Sequence, residues 1–226
     1  MNIKNWLLAL FVFFVTLQVA NAQEENTEKG FSFTYADLNL AVYTYDTSGG
    51  QESALWSDGT VQWSFNQYIG GFVYGCADKE FQCAYAGLTK EVADFGVFDT
   101  LEIGLGLGKA WYNDRSWNVI NPWIYTEIGR FSLIVFGELI KAEVSSDEWF
   151  YRISGEYALG GRWSDFSVGF HAERWNGFGP ELIYHKSDWW DIRFAWMPFG
   201  QSSEDGVALE PWHDRASGRL NLGFYW

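Results

Sequence analysis

The chain has 226 residues, with 29 acidic against 15 basic side chains and a formal net charge of −14. That excess argues against nucleic acid as a partner, because such binding rests on basic groups that neutralise phosphates. Aromatic residues nevertheless make up 20% of the chain, 14 of them Trp. So many rings on so acidic a protein suit a setting where one end of each ring is wet and the other apolar, as at a bilayer interface.

In chain order, residues 1–22 read as a secretory signal peptide. Lys4 gives a positive n-region, Trp6 to Val19 an apolar core, and Ala20-Asn21-Ala22 a small-x-small cleavage site before Gln23. The apolar core is shorter than the ~20 residues that span a membrane as a helix, and no later uncharged apolar run is that long. Residues 23–30 (QEENTEKG) are expected to be a short flexible segment, followed by one domain over 31–226.

From Phe31 the pattern has period two, broken by turn residues, which predicts antiparallel strands. Ten such segments can be placed: Phe31 to Tyr45, Val61 to Tyr74, Leu101 to Trp111, Trp117 to Ile128, Phe131 to Ile140, Trp149 to Leu159, Arg162 to Glu173, Glu181 to His185, Trp189 to Met197 and Arg219 to Trp226. A phase switch between Tyr35 and Leu38 suggests a bulge. Residues 75–100 carry further strand-like text (Phe81 to Leu88), which would make twelve strands as an extra hairpin or else pack as a plug; loss of two weak segments would leave eight. Short connections (Gly129-Arg130, Gly160-Gly161, Lys186-Ser187-Asp188) alternate with longer polar ones (46–60, 141–148, 175–180, 198–217).

In the last segment Leu220, Leu222, Phe224 and Trp226 share one apolar face that runs to the terminal carboxylate. This resembles the closing strand of bacterial outer-membrane β-barrels as a broad class, which typically ends in an aromatic residue read by the barrel assembly machinery. The resemblance implies an all-β fold, a single antiparallel transmembrane barrel of ten strands, in the outer membrane of a Gram-negative-type bacterium. It also implies contact with outer-membrane lipid and lipopolysaccharide. Long loops outside and short turns in the periplasm fit such barrels.

The opposite faces would then line the lumen. They carry Asp37, Asn39, Gln62, Ser64, Asn66, Glu102, Glu127, Glu138, Arg152, Ser154, Glu156, Asp165, Ser167, His171, Glu173, Asp191, Arg193, Arg219 and Asn221. Buried charges are costly unless paired, so a network in which Arg152, Arg193 and Arg219 offset the carboxylates is the reading preferred over an enzyme. Gly104, Gly106 and Gly108 leave an inward strip with room for Trp123 or Tyr125, or for a small cavity. The acidic residues of the loops (Asp46, Glu52, Asp58; Glu143, Asp147, Glu148; Glu204, Asp205, Glu210, Asp214) read as solvated surface.

Cys76 and Cys83, close together in an exported chain, predict a disulfide across a turn. No metal site or cofactor is expected: the three His are dispersed, and the glycine strip is strand-like and not followed by a helix. The candidate catalytic residues are His171, Glu173 and Ser167. Lipid A deacylases and outer-membrane phospholipases carry a His-x-Ser-Asn element on a strand; here Glu173 stands where that Ser would be. Ser167 lies about 13 Å along the strand from His171, too far for a direct hydrogen bond. The leading expectation is a structural, surface-interaction or narrow, porin-like small-solute or ion channel barrel. A lipid hydrolase using a His-carboxylate site is the second reading, and a secreted β-sandwich binding module the third.

Overall fold

The structure is a computed structural model, and it describes residues 32–47, 50–66, 68–79, 81–92, 96–112, 115–141, 148–174, 176–197 and 216–226. Residues 1–22, read from the sequence as a signal peptide, the segment 23–30, His213 and the acidic residues Glu143, Asp147, Glu204, Asp205, Glu210 and Asp214 lie outside these residues. Twelve strands are formed: β1 (Ser32–Thr47), β2 (Gly50–Ser64), β3 (Ile69–Ala77), β4 (Phe81–Glu91), β5 (Thr100–Tyr112), β6 (Arg115–Ile128), β7 (Phe131–Lys141), β8 (Glu148–Ala158), β9 (Phe166–Glu173), β10 (Gly177–Ser187), β11 (Trp190–Trp196) and β12 (Ala216–Tyr225). Each pairs antiparallel with its sequence neighbours, and β1 pairs with β12 to close a barrel.

The count is therefore twelve, not ten. Residues 46–60 are no loop: β1 runs to Thr47 and β2 starts at Gly50, paired from Thr47↔Gly50 onward. Their outward positions include Ser53, Ser57 and Gly59, so only Leu55 marks the lipid-type face and the alternation fades from the sequence. The text at Phe81 to Leu88 is a full strand, β4, hydrogen-bonded to β3 and β5. Residues 177–180, read as loop, begin β10, and β1 has register irregularities between Phe33 and Tyr35 and between Thr44 and Tyr45, neither of them between Tyr35 and Leu38. The expected alternation of loop lengths also fails in the first half, where residues 48–49 and 113–114 join strands at the end away from the C-terminus, whereas 92–99 join them at the C-terminal end.

The connections at the C-terminal end are tied to one another. The Asp99 carboxylate accepts the Gly129 N–H, Ala158 N–H donates to Arg130 O and Tyr225 N–H donates to Trp189 O. Trp226 and Ala36 exchange both backbone hydrogen bonds, so the chain end is fastened instead of fraying.

Side chains alternate between wall and lumen. The outer face exposes Leu55, Leu105, Leu107, Ile124, Leu182, Phe194, Leu220 and Leu222. Trp111, Trp149 and Trp196 are exposed near the end remote from the C-terminus; Trp163, Trp189 and Trp226 are exposed at the C-terminal end. Pro122 sits within β6, where a missing N–H would orphan a ladder carbonyl. The Asn121 amide turns to donate to Gly137 O at 2.6 Å and fills that place. Cys76 and Cys83 are register partners on β3 and β4, disulfide-bonded, and both are buried.

Candidate functional site

The lumen has two unlike walls. On β3 to β7 it is aromatic. A Cβ at Gly104 would fall inside the Trp123 indole, one at Gly106 against the Phe72 ring, and one at Gly108 on the adjoining strand at Ala84 O and Tyr85 Cα. The glycine strip thus makes room for rings that lean across it. Phe72 and Trp123 meet edge to face at 5.8 Å, Tyr74 stacks on Tyr85 at 4.7 Å, and Phe136 of β7 packs on Tyr74 at 5.5 Å. Such geometries are favourable beyond their buried area. The Tyr85 hydroxyl donates to Glu138 at 3.0 Å, the one carboxylate set into this wall near its centre.

On β8 to β12 and β1 to β2 the lumen is charged and paired. Arg152 of β8 meets Glu173 of β9 at 2.7 Å and Asp58 of β2 at 3.5 Å. β2 and β8 are six places apart in the ring of twelve, so this guanidinium ties opposite sides of the barrel. Asp58 also accepts from Trp56 Nε1 at 2.8 Å and Asn39 at 3.1 Å. Arg219 faces Glu181 at 3.6 Å, and Arg193 meets Asp191 at 2.8 Å and Glu156 at 3.4 Å. Arg152 also lies 6.0 Å from the Phe136 ring, which joins the two walls. Together the aromatic cluster and the Arg152 layer fill the middle of the lumen.

Toward the C-terminal end the lumen opens. Ile134 faces inward yet is 37% exposed, and the side chains of His185 and Glu156 are 34% and 20% exposed. In the filled middle, His171 and Asn121 are at 1% or less. This more exposed part forms a vestibule at the C-terminal end.

Two Ser–His contacts border it, one against the filled middle and one nearer the opening. Ser154 Oγ is 2.8 Å from His171 Nδ1, and His171 Nε2 is 3.8 Å from Glu173 Oε2. Ser154 and His171 are direct register partners of β8 and β9. Nearer the opening, Ser167 Oγ is 2.9 Å from His185 Nε2. The same nitrogen is 2.9 Å from Glu156 Oε1, while Nδ1 is 4.0 Å from Asp191. A working triad needs the acid on the nitrogen remote from the hydroxyl. His171 has that order; His185 has a carboxylate competing with the Ser for one nitrogen.

Of the residues singled out in the sequence, His171 and Glu173 are adjacent in the filled layer, and Ser167 belongs to the His185 group instead. Glu102 accepts from Gln62; Glu127 accepts from Tyr125 and from Thr100 at 3.2 Å. Asp165 is exposed in the turn after a 3-10 segment, Gly161–Trp163, and accepts from Ser164; Asn66 is exposed in the β2–β3 turn. Asp58, assigned to solvated loop surface, is instead buried in the lumen as the partner of Arg152. Its one audible signal is the Trp56-x-Asp58 spacing, which puts both on one strand face. Ser154 as the partner of His171 is visible only through register. Among the described residues no group of three or more His, Cys, Asp or Glu is placed to hold a metal ion.

No family model matches the sequence, and no curated protein matches it. Solved structures do. The outer-membrane phospholipase of Salmonella typhi, a dimer with bound calcium, superposes with TM-score 0.50 at 11% identity, covering 92% of this chain and 95% of that one. Outer-membrane phospholipase A from Escherichia coli gives 0.48 at 12% identity, over 92% and 95%. A Vibrio cholerae outer-membrane protein in trimer form gives 0.28 at 10% identity, over 87% and 99%. The first likeness, at that identity, describes the fold alone. The molecule has the closed antiparallel fold of bacterial outer-membrane β-barrel proteins.

Proposed function

We propose that the chain is an integral outer-membrane β-barrel whose lumen is blocked midway, acting through its lipid-facing wall and rim and not as a conducting pore. The eleven-residue strands β4, β7, β8 and β10 match the ~9–11 residues a tilted strand needs to cross a bilayer. The two Trp rows match the aromatic girdles at the two interfaces. In this reading the C-terminal end faces the periplasm, lipid and lipopolysaccharide cover the outer wall, and the Leu220 to Trp226 face is what the assembly machinery reads.

The observation that carries the blocked lumen is the tie from Arg152 to Asp58 and Glu173, set against the ring cluster. A wider barrel of 16–18 strands leaves a water-filled channel, whereas small ones are filled by side chains. Bilayer recordings of refolded protein test it: silent membranes are expected, and steady conductance steps from the unmodified chain would overturn it. Hydrolysis of bilayer lipid is less well supported, because Val168, Phe170 and Ala172 face the wall while His171 is sealed inside.

A further inference from the structure

We infer that Ser154 is an activatable nucleophile at the floor of the periplasmic vestibule, with His171 as its base and a small neutral or cationic ester as the class of substrate. Along the inward face of β8, Arg152, Ser154 and Glu156 follow one another toward the open end. Arg152 belongs to the blocked layer and Glu156 to the open vestibule. Ser154 lies between them, half-buried, beside the exposed Ile134, its register partner on β7. The hydroxyl is thus the last polar group of β8 that the vestibule meets before the seal.

Its partner is arranged for proton transfer. His171 is buried, with Ser154 Oγ on Nδ1 and Glu173 on the side of Nε2. A carboxylate facing Nε2 favours the tautomer with the proton there, which leaves Nδ1 as the acceptor for the Ser154 hydroxyl. Glu173 is itself fixed by Arg152 at 2.7 Å and by Asn176 at 2.7 Å. Nε2 makes no hydrogen bond at rest, and a 3.8 Å approach that tightens as the imidazole gains charge is ordinary for an unliganded site.

The step balances without a co-reactant other than water. Ser154 Oγ bonds to the ester carbonyl carbon as its proton passes to His171 Nδ1. The carbon–oxygen bond to the leaving alcohol breaks, and that alcohol takes the proton. Water then cleaves the acyl-serine by the same route in reverse. The approach sets the charge of the substrate: Asp37, Glu102 and Glu127 are held there by neutral donors such as Tyr35, Gln62 and Tyr125, so an anionic ester meets an acidic wall.

The test is labelling of the refolded full chain with a small uncharged alkyl fluorophosphonate, mapped by peptide mass spectrometry. Heat-modifiable gel migration confirms that each variant is folded. One adduct is expected, on Ser154, with fluoride displaced. Ser154→Ala should abolish it, and His171→Gln should slow it about 100-fold, in the range of a lost general base. Ser167→Ala should leave the rate unchanged. Glu173 acts as a positioning residue: Glu173→Gln should slow labelling and Glu173→Asp should restore part of the rate, which a purely structural loss would not do. A folded chain that takes no label, or one labelled equally with and without the Ser154 hydroxyl, overturns the assignment. Neither result bears on the conductance test of the blocked lumen.

Discussion

The two lumen walls solve one problem by different physics. The wall of β3 to β7 removes side-chain bulk, at Gly104 and Gly106, and fills the gain with rings. The wall of β8 to β12 keeps its charges and pairs Arg152, Arg193 and Arg219 each with a carboxylate on another strand. A ring packed on glycine tolerates loss by local collapse. A paired charge does not, because deleting one partner strands the other in a low-dielectric interior. The charged wall should therefore be the brittle one.

Arg152→Ala should give the largest effect, about 3–5 kcal/mol, since it leaves Asp58 and Glu173 buried without their cation. Urea unfolding in lipid vesicles reads it, and the same variant should leak ions in bilayer recordings where the proposed blocked lumen keeps the unmodified chain silent. If Arg152→Ala proves no worse than a ring substitution, the contrast between the walls is lost. Gly104→Ala comes next, at about 1–3 kcal/mol, as overpacking against Trp123; its signature is a shifted Trp fluorescence with the fold retained. Asn121→Ala should cost about 1–2 kcal/mol by leaving Gly137 O without a donor, with faster hydrogen exchange limited to β6 and β7.

How far these walls could be read from the sequence follows the same division. The inward parity of Arg152, Glu173, Arg193 and Asp191 was legible because apolar neighbours alternate with them on β8, β9 and β11. Most of β2 was not, since its outward positions carry Ser53, Ser57 and Gly59, and with them went Asp58; only its end, from Val61, was read, run together with β3 as one strand. The pairing of Ser154 with His171 was hidden by one turn. A two-residue connection at Gly160-Gly161 would set Ser154 opposite Ser167. The 3-10 segment Gly161–Trp163 and the residues after it lengthen the connection and slide the register by four, bringing His171 opposite instead. Alternation fixes which face a residue takes; it carries no information on which neighbour it meets.

The tie from Arg152 to Asp58 also has a mechanical meaning. A hollow ring of twelve strands is softest in the deformation that squeezes a circle into an oval. A bond joining strands six places apart acts as a strut across that diameter, and the packed rings resist compression alongside it. Lateral pressure from the surrounding bilayer would then be borne by the interior and not by the hydrogen-bond ladders of the wall.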